Sequence, residues 1–384
     1  MTLRVAIVGG GIGGLALAQS LGRSGIDATV YERDANPASR RQGYRIHIGP
    51  TGAAALRSCL PPDLYELFLA TRSQPRDRIT VLSNRLRVLR EFPVPPAPDG
   101  SVGGAVNRLT LREVLLGGLP VCFGRELLGY EPLGDAVRLH FTSGAAVEAD
   151  VVVGADGVNS AVRCQLLPHA EVADSGARVI YGKARLTSDI DAALPAPVRR
   201  GFVAVTSMFR PVSMALGLME FGEPPASAAA RLCPGLTMHD CESYVMWALT
   251  ASARALPEDV TSLDGTQLTS LAARMTRRWH PWLRSLVSSA DPDETFALAV
   301  RTSVPVAPWP AGRVTVLGDA IHAMSPAGGS GANTALRDAE VLARELAAGP
   351  DDPVAAIARY EREMLDYGFA AVRESEQANA RYRR

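Results

Sequence analysis

Arg4-Val5-Ala6-Ile7-Val8 running into Gly9-Gly10-Gly11-Ile12-Gly13-Gly14 is the stretch on which the fold turns. The first five residues include three β-branched side chains and suit a strand buried on both faces. The glycines spell Gly9-x-Gly11-x-x-Gly14, and residues 15–24 continue with helical period until Gly25 stops them. Small residues at 14, 18 and 22 recur every fourth position, so one face of that helix can lie close against a sheet. A second strand over 26–32 completes a βαβ unit. In this context the glycines have distinct tasks. Gly9 permits a tight turn, Gly11 lets backbone approach a pyrophosphate, and Gly14 allows close helix–strand contact. The helix start offers N–H donors and positive potential to an anion. Ile12 and Gly13 complete the turn, and Glu32, 18 residues after Gly14, ends the second strand where a carboxylate reaches ribose hydroxyls.

Two further strand-to-glycine junctions lie far downstream. Residues 149–157 read Ala-Asp-Val-Val-Val-Gly-Ala-Asp-Gly, and residues 313–319 read Arg-Val-Thr-Val-Leu-Gly-Asp. A Gly- and Pro-rich loop and a helix from about Asn333 follow the second of these. Between the junctions the text changes. Residues 177–222 and 243–250 carry short Val, Met, Phe and Leu runs that predict antiparallel sheet, and 78–92 predicts a strand pair turning at Asn84. Residues 265–288 predict helix interrupted at His280-Pro281, and 352–380 a charged terminal helix.

Taken together, the three junctions resemble a known pattern. The runs Gly154-Ala155-Asp156-Gly157 and Gly318-Asp319-Ala320-Ile321-His322, with Pro326 and Gly331-Ala332-Asn333 beyond, resemble the paired motifs of the para-hydroxybenzoate hydroxylase-like family, the class A flavin monooxygenases. The resemblance implies an α/β fold: a Rossmann-like FAD-binding domain with an inserted antiparallel sheet that covers the flavin, and a C-terminal helix. The expected division is 1–70, 100–174 and 300–348 for the FAD-binding domain, 71–99 and 175–299 for the substrate domain, and 349–384 for the helical segment. It also implies roles. Gly9, Gly11, Ile12, Gly13 and Gly14 would hold the pyrophosphate, Glu32 the ribose, and Arg33 would lie beside the adenosine. Arg108 would reach phosphate and ribityl chain, Asp156 would serve FAD and nicotinamide, and Gly318 and Asp319 the ribityl chain. Gly331, Ala332 and Asn333 would bring N–H groups to the pyrimidine ring, and Pro326 would face its oxygen-reacting side.

Two departures bear on the substrate. Ser330 stands where many members have Gln, and Arg45-Ile46-His47 stands where relatives often show Gly-Ile-Gln. Arg45 is thus a candidate for guiding substrate or flavin, with a solvated surface arginine as the alternative. Met208, Met214, Met219 and Phe221 are candidate substrate contacts. Alternation after Pro211 puts Met214, Leu216 and Leu218 on one strand face and Met219 and Phe221 on the other. His322 is expected to pack the loop.

The resemblance implies that NADPH or NADH reduces FAD and that O₂ then forms a C4a-hydroperoxyflavin. This would hydroxylate a small aromatic, polycyclic or polyketide-like molecule of secondary metabolism. Other flavin chemistries stay open: halogenation, C=C reduction, epoxidation, Baeyer–Villiger oxygen insertion, or a non-catalytic FAD-binding module. A halogenase would carry Trp-x-Trp-x-Ile-Pro, whereas the tryptophans here stand at 247, 279, 282 and 309.

Composition narrows the classes further. Forty basic and forty acidic side chains give zero net charge, which argues against a nucleic-acid partner. No run approaches the roughly 18 apolar residues of a membrane span. Five scattered cysteines without a C-x-x-C pair predict neither a disulfide framework nor a metal site, and a reduced, cytoplasmic setting.

Overall fold

The computed structural model describes residues 3–39, 43–94, 103–207 and 212–383. Among these, five strands form a parallel sheet in the order Val314–Val316, Val151–Gly154, Arg4–Val8, Asp27–Glu32, Val121–Phe123. Two of its inner strands, Arg4–Val8 and Val151–Gly154, are buried from end to end apart from Arg4, as their Val and Ile content requires of a sheet covered on both faces. Burying each such side chain contributes about 1.5–3 kcal/mol. The helix Ile12–Arg23 lies on one face. Its approach depends on Gly14, where a Cβ would fall 2.2 Å from the Gly9 carbonyl oxygen. The helix Gly331–Ala348 packs beside it, with Ala335 against Gly13. The long helix Pro353–Arg383 then closes the domain, and Tyr360 Oη donates to the Val316 carbonyl at 2.9 Å.

Seven strands form the second large sheet. Its order is Phe296–Ser303, Val172–Arg185, Tyr244–Ser252, Val212–Met219, Gly201–Thr206, Arg78–Ser83, Val88–Pro93. The expectation of an antiparallel sheet needs one correction, because Gly201–Thr206 pairs with Arg78–Ser83 in parallel. These neighbours come from separate excursions of the chain, so no hairpin ties their directions. The other pairings are antiparallel. Strand alternation splits the sheet's side chains between two cores. Met214, Leu216, Leu218 and Trp247 pack outward against Leu268, Leu271, Leu283 and Leu286 of two helices. Met219, Tyr181, Tyr244 and Met246 pack on the opposite face with Ala105, Tyr44 and Phe296.

A short two-stranded pairing joins the halves. Arg45–Ile48 runs antiparallel to Gly104–Asn107, with Arg45 opposite Asn107. Asn107 caps the helix Arg108–Leu116 through Oδ1, and its Nδ2 donates to Tyr244 Oη at 3.1 Å.

Candidate functional site

Val8, Glu32, Gly154 and Val316 end parallel strands at one edge of the sheet, the edge at which open α/β sheets bind ligands. The glycine turn is built there. A Cβ on Gly9 would lie 2.4 Å from the Ala155 carbonyl oxygen, so that position tolerates no side chain, and its φ of +111° also suits glycine. Gly11 is different. A Cβ there would meet nothing nearer than Ala155 O at 4.0 Å, and Gly11 caps the helix with no side-chain acceptor for its N–H groups. Open space in front of a helix N-terminus is what a phosphate needs. Ile12 is buried, and Gly13 meets Leu317 and Ala335, so both serve packing as well as the turn.

Glu32 is 3% exposed. Its Oε2 accepts from Gly10 N at 2.7 Å and its Oε1 from Asp34 N at 2.9 Å. Each oxygen has two lone pairs, so a ribose hydroxyl could still be accepted. Arg112, which no local sequence motif marks, braces this loop. Its Nε donates to the Gly10 carbonyl at 2.9 Å, and its Nη2 lies 3.8 Å from Glu32 and 3.7 Å from Asp34. Arg33 is exposed beside it.

The two downstream junctions meet at the same edge. Asp156 Oδ2 accepts from Ala161 N at 2.7 Å, whereas its Oδ1 is buried without a partner, and burial raises its pKa. Arg163 ties the loops together, donating from Nη1 to Val158 O and Ala320 O, both at 3.0 Å. Gly318 takes φ +62°, and its N–H donates to Asp338 Oδ2 at 2.7 Å. Asp319 follows with an exposed side chain whose carboxylate is nevertheless crowded by surrounding protein atoms. That partial desolvation raises its pKa, while His322 and Arg108 pull it back. Arg108 Nη1 is buried and unpartnered, with the guanidinium 5.8 Å from the Tyr44 ring centroid. Gly331 begins its helix next to Asp319, since a Cβ there would lie 3.9 Å from Asp319 Oδ1. Ala332 is half-buried in the same turn. Asn333 spends its side chain on the fold: Oδ1 accepts from Gly49 N at 2.8 Å, and Nδ2 donates to His47 O and Gly329 O, both at 2.9 Å. Pro326 is exposed at the start of a short turn.

The second sheet covers this edge with an aromatic wall. Tyr181 stacks on Tyr44 at 5.1 Å and on Phe296 at 5.3 Å. Met219 and Phe221 belong to this inner face. Met214 does not: it is buried in the outer core, where it cannot reach the cleft. Met208 lies outside the described residues. Arg45 and His47 share one side of their strand, as alternation dictates. His47 keeps an exposed surface, but desolvation by the protein packed around it lowers its pKa to about 4, with Arg45 adding to the effect, so the imidazole is neutral at pH 7.

The donors fit an FAD. A helix start with free N–H groups, an unpartnered buried guanidinium, an orphaned Asp156 oxygen and the Asp319 carboxylate match its pyrophosphate and hydroxylated chain. Among the described residues, no group of three His, Cys, Asp or Glu could hold a metal ion, and no helix is long and apolar enough to cross a membrane.

Known proteins agree with this geometry. The FAD binding domain family profile matches residues 107–375, and an NAD(P)-binding Rossmann-like domain profile matches 7–61. A dual O-methyltransferase/FAD-dependent monooxygenase from Cercospora beticola is 33% identical over 94% of this chain and 44% of the relative. The chain spans less than half the length of that protein and of two similar ones, at 43% and 40%. An aurachin C monooxygenase/isomerase from Stigmatella aurantiaca is 30% identical over 94% of this chain and 84% of its own. The solved structure of an FAD-containing protein from Photorhabdus luminescens superposes with a TM-score of 0.85 and 31% identity, covering 98% of each chain. The chain belongs to the FAD-binding-domain family of para-hydroxybenzoate hydroxylase-like flavoproteins.

Proposed function

We propose that this chain is a monooxygenase that uses NAD(P)H and O₂ to hydroxylate a small aromatic or polyketide-like molecule, with FAD as its cofactor. The observation that carries this reading is the meeting of three distant loops, around Gly11, Asp156 and Asp319, at one edge of the parallel sheet under an aromatic wall. FAD, when bound, supplies hydride acceptance and activation of O₂. The chain supplies the rest. The N–H groups after Gly11 and the Arg108 guanidinium neutralise the pyrophosphate. Asp156 and Asp319 accept from hydroxyls of the cofactor, and Glu32 from its ribose. The N-terminal end of the helix at Gly331, Ala332 and Asn333 favours negative charge on the pyrimidine side of the ring. Pro326 borders the opposite side, and Tyr44, Tyr181, Phe296, Met219 and Phe221 hold an aromatic substrate and exclude water.

In this reading residues 1–70, 100–174 and 300–348 bind FAD, 71–99 and 175–299 cover the substrate, and 349–384 brace the first group. The aurachin C monooxygenase/isomerase relative supports a monooxygenase reaction. A cytoplasmic setting accords with the five free cysteines. The test is NADPH consumption by the purified yellow protein across a panel of phenols and polycyclic hydroxyaromatics. A compound that stimulates consumption and is recovered hydroxylated supports the proposal. Failure of every FAD-loaded preparation to oxidise nicotinamide would reduce the chain to a flavin-binding module.

A further inference from the structure

Arg45 belongs to the strand Arg45–Ile48, but its side chain leaves that strand and crosses to the seven-stranded sheet. Its Nε donates to the Leu218 carbonyl at 3.2 Å. Room for it comes from Gly217, in the middle of Val212–Met219, where a Cβ would fall 2.8 Å from Arg45 Cδ and 3.0 Å from Nε. Glycine weakens a strand interior and marks places where another group comes close. Here the close group is a guanidinium from a separate element.

Gly217 shares its face with Ala215 and Met219, the inner, cleft-side face of the sheet. The polar groups acting on Arg45 are the Tyr244 hydroxyl and a second cation, Arg76, which is itself paired with Glu220. Among the described residues no carboxylate pairs with Arg45. Burial without a counter-charge lowers its pKa from 12.5 to about 10, so it stays cationic at neutral pH. A half-buried cation without an anion is costly unless a ligand completes it. The same inner face of the sheet carries Tyr244 and the stacked rings of Tyr44, Tyr181 and Phe296.

We infer that Arg45, seated by Gly217, recognises an ionised oxygen on the aromatic ring that enters the cleft, a carboxylate or a phenolate. This rests on the monooxygenase reading only for the word substrate. The recognition itself needs just the guanidinium fork, which matches a carboxylate with two parallel N–H bonds and a phenolate with one. Arg45 is then the residue that sets substrate charge, and Gly217 is its positioning partner.

The test is titration calorimetry on the FAD-loaded protein with two matched pairs of probes. One pair is a hydroxynaphthoate and its methyl ester, and the other is para-nitrophenol, above its pKa, and para-nitroanisole. The wild type is expected to prefer at least one anion over its neutral partner by about ten-fold or more. Preference in the first pair alone identifies a carboxylate, and in the second alone a phenolate. Arg45→Gln should bring the ratio near one, Arg45→Lys should restore part of it, and Gly217→Ala should lower it without altering charge. The flavin absorption band of the same samples reports the cofactor separately. A colourless wild type would remove the flavoprotein reading while leaving the ratios legible. Equal affinity within both pairs, or a preference that survives Arg45→Gln, would overturn the inference.

Discussion

His322 Nε2 lies 2.6 Å from Asp338 Oδ2, and both side chains are fully buried. The same oxygen accepts from Gly318 N, and Asp338 Oδ1 accepts from Tyr367 Oη at 2.7 Å. One carboxylate therefore fixes the strained turn before Asp319, the buried imidazole and the C-terminal helix. Asp338→Ala leaves a buried imidazole without its partner, and breaking such a pair costs about 3–5 kcal/mol. Thermal unfolding should show that loss, together with weaker FAD binding because the Gly318 turn is freed. Burial alone would lower the His322 pKa, but Asp338 and Asp319 outweigh it and the net shift is upward. The pair's stabilisation is therefore complete below the ordinary histidine value of 6.5 and fades as pH rises through the raised one. Asp338→Ala should thus cost most at acid pH; an equal Tm loss across the range would contradict this coupling.

Gly11 and Gly14 should fail in different ways. Valine at 11 meets no protein atom nearer than 4.0 Å at its Cβ, so Gly11→Val should fold and fill the space in front of the helix. The expected product is a colourless protein with near wild-type circular dichroism. Gly14→Ala drives its Cβ to 2.2 Å from Gly9 O and should unfold the domain instead. A yellow Gly11→Val protein would remove the pyrophosphate assignment.

Asp319→Ala should weaken FAD binding by about 1.5–3 kcal/mol, the range for a hydrogen bond to a charged group. Fluorescence titration of apoprotein with FAD measures it. The fold should be preserved, because the Asp319 side chain is exposed.

Glu361, on the helix Pro353–Arg383, gives a second pH signature. Burial raises its pKa to about 7, although it accepts from Thr315 Oγ1 at 2.8 Å and Trp309 Nε1 at 3.1 Å. A raised acid is a stabilising proton site below its unfolded pKa of 4.5, and that contribution is lost as pH climbs towards 7. The wild type should lose about 3 kcal/mol between those limits through this group. Glu361→Gln should flatten the dependence and be the more stable protein at pH 8, as read from denaturant midpoints.

Much of the cofactor half was legible because its signals are local. Strand, glycine turn, helix and acid follow one another between Arg4 and Glu32, and steric rules for each act within a few residues. The split of Met214 from Met219 and Phe221 also followed from strand alternation, although the period could not say which face met the cleft. What escaped was long-range. Arg45 is 173 positions from the carbonyl it holds, and nothing near either residue announces the other. Asp338 looks like a surface acid of an amphipathic helix until Gly318, 20 residues earlier, turns back onto it. The parallel pairing of Gly201–Thr206 with Arg78–Ser83 likewise depends on the path of the intervening chain.

The most direct test of the monooxygenase reading is the fate of molecular oxygen. The FAD-loaded protein, NADPH and a hydroxyaromatic that stimulates NADPH consumption are incubated under isotopically heavy O₂, and the product is weighed by mass spectrometry. The account predicts one heavy oxygen atom in each product molecule. Product containing only solvent oxygen, or NADPH consumption that yields hydrogen peroxide and unchanged aromatic for every compound that binds, would contradict it.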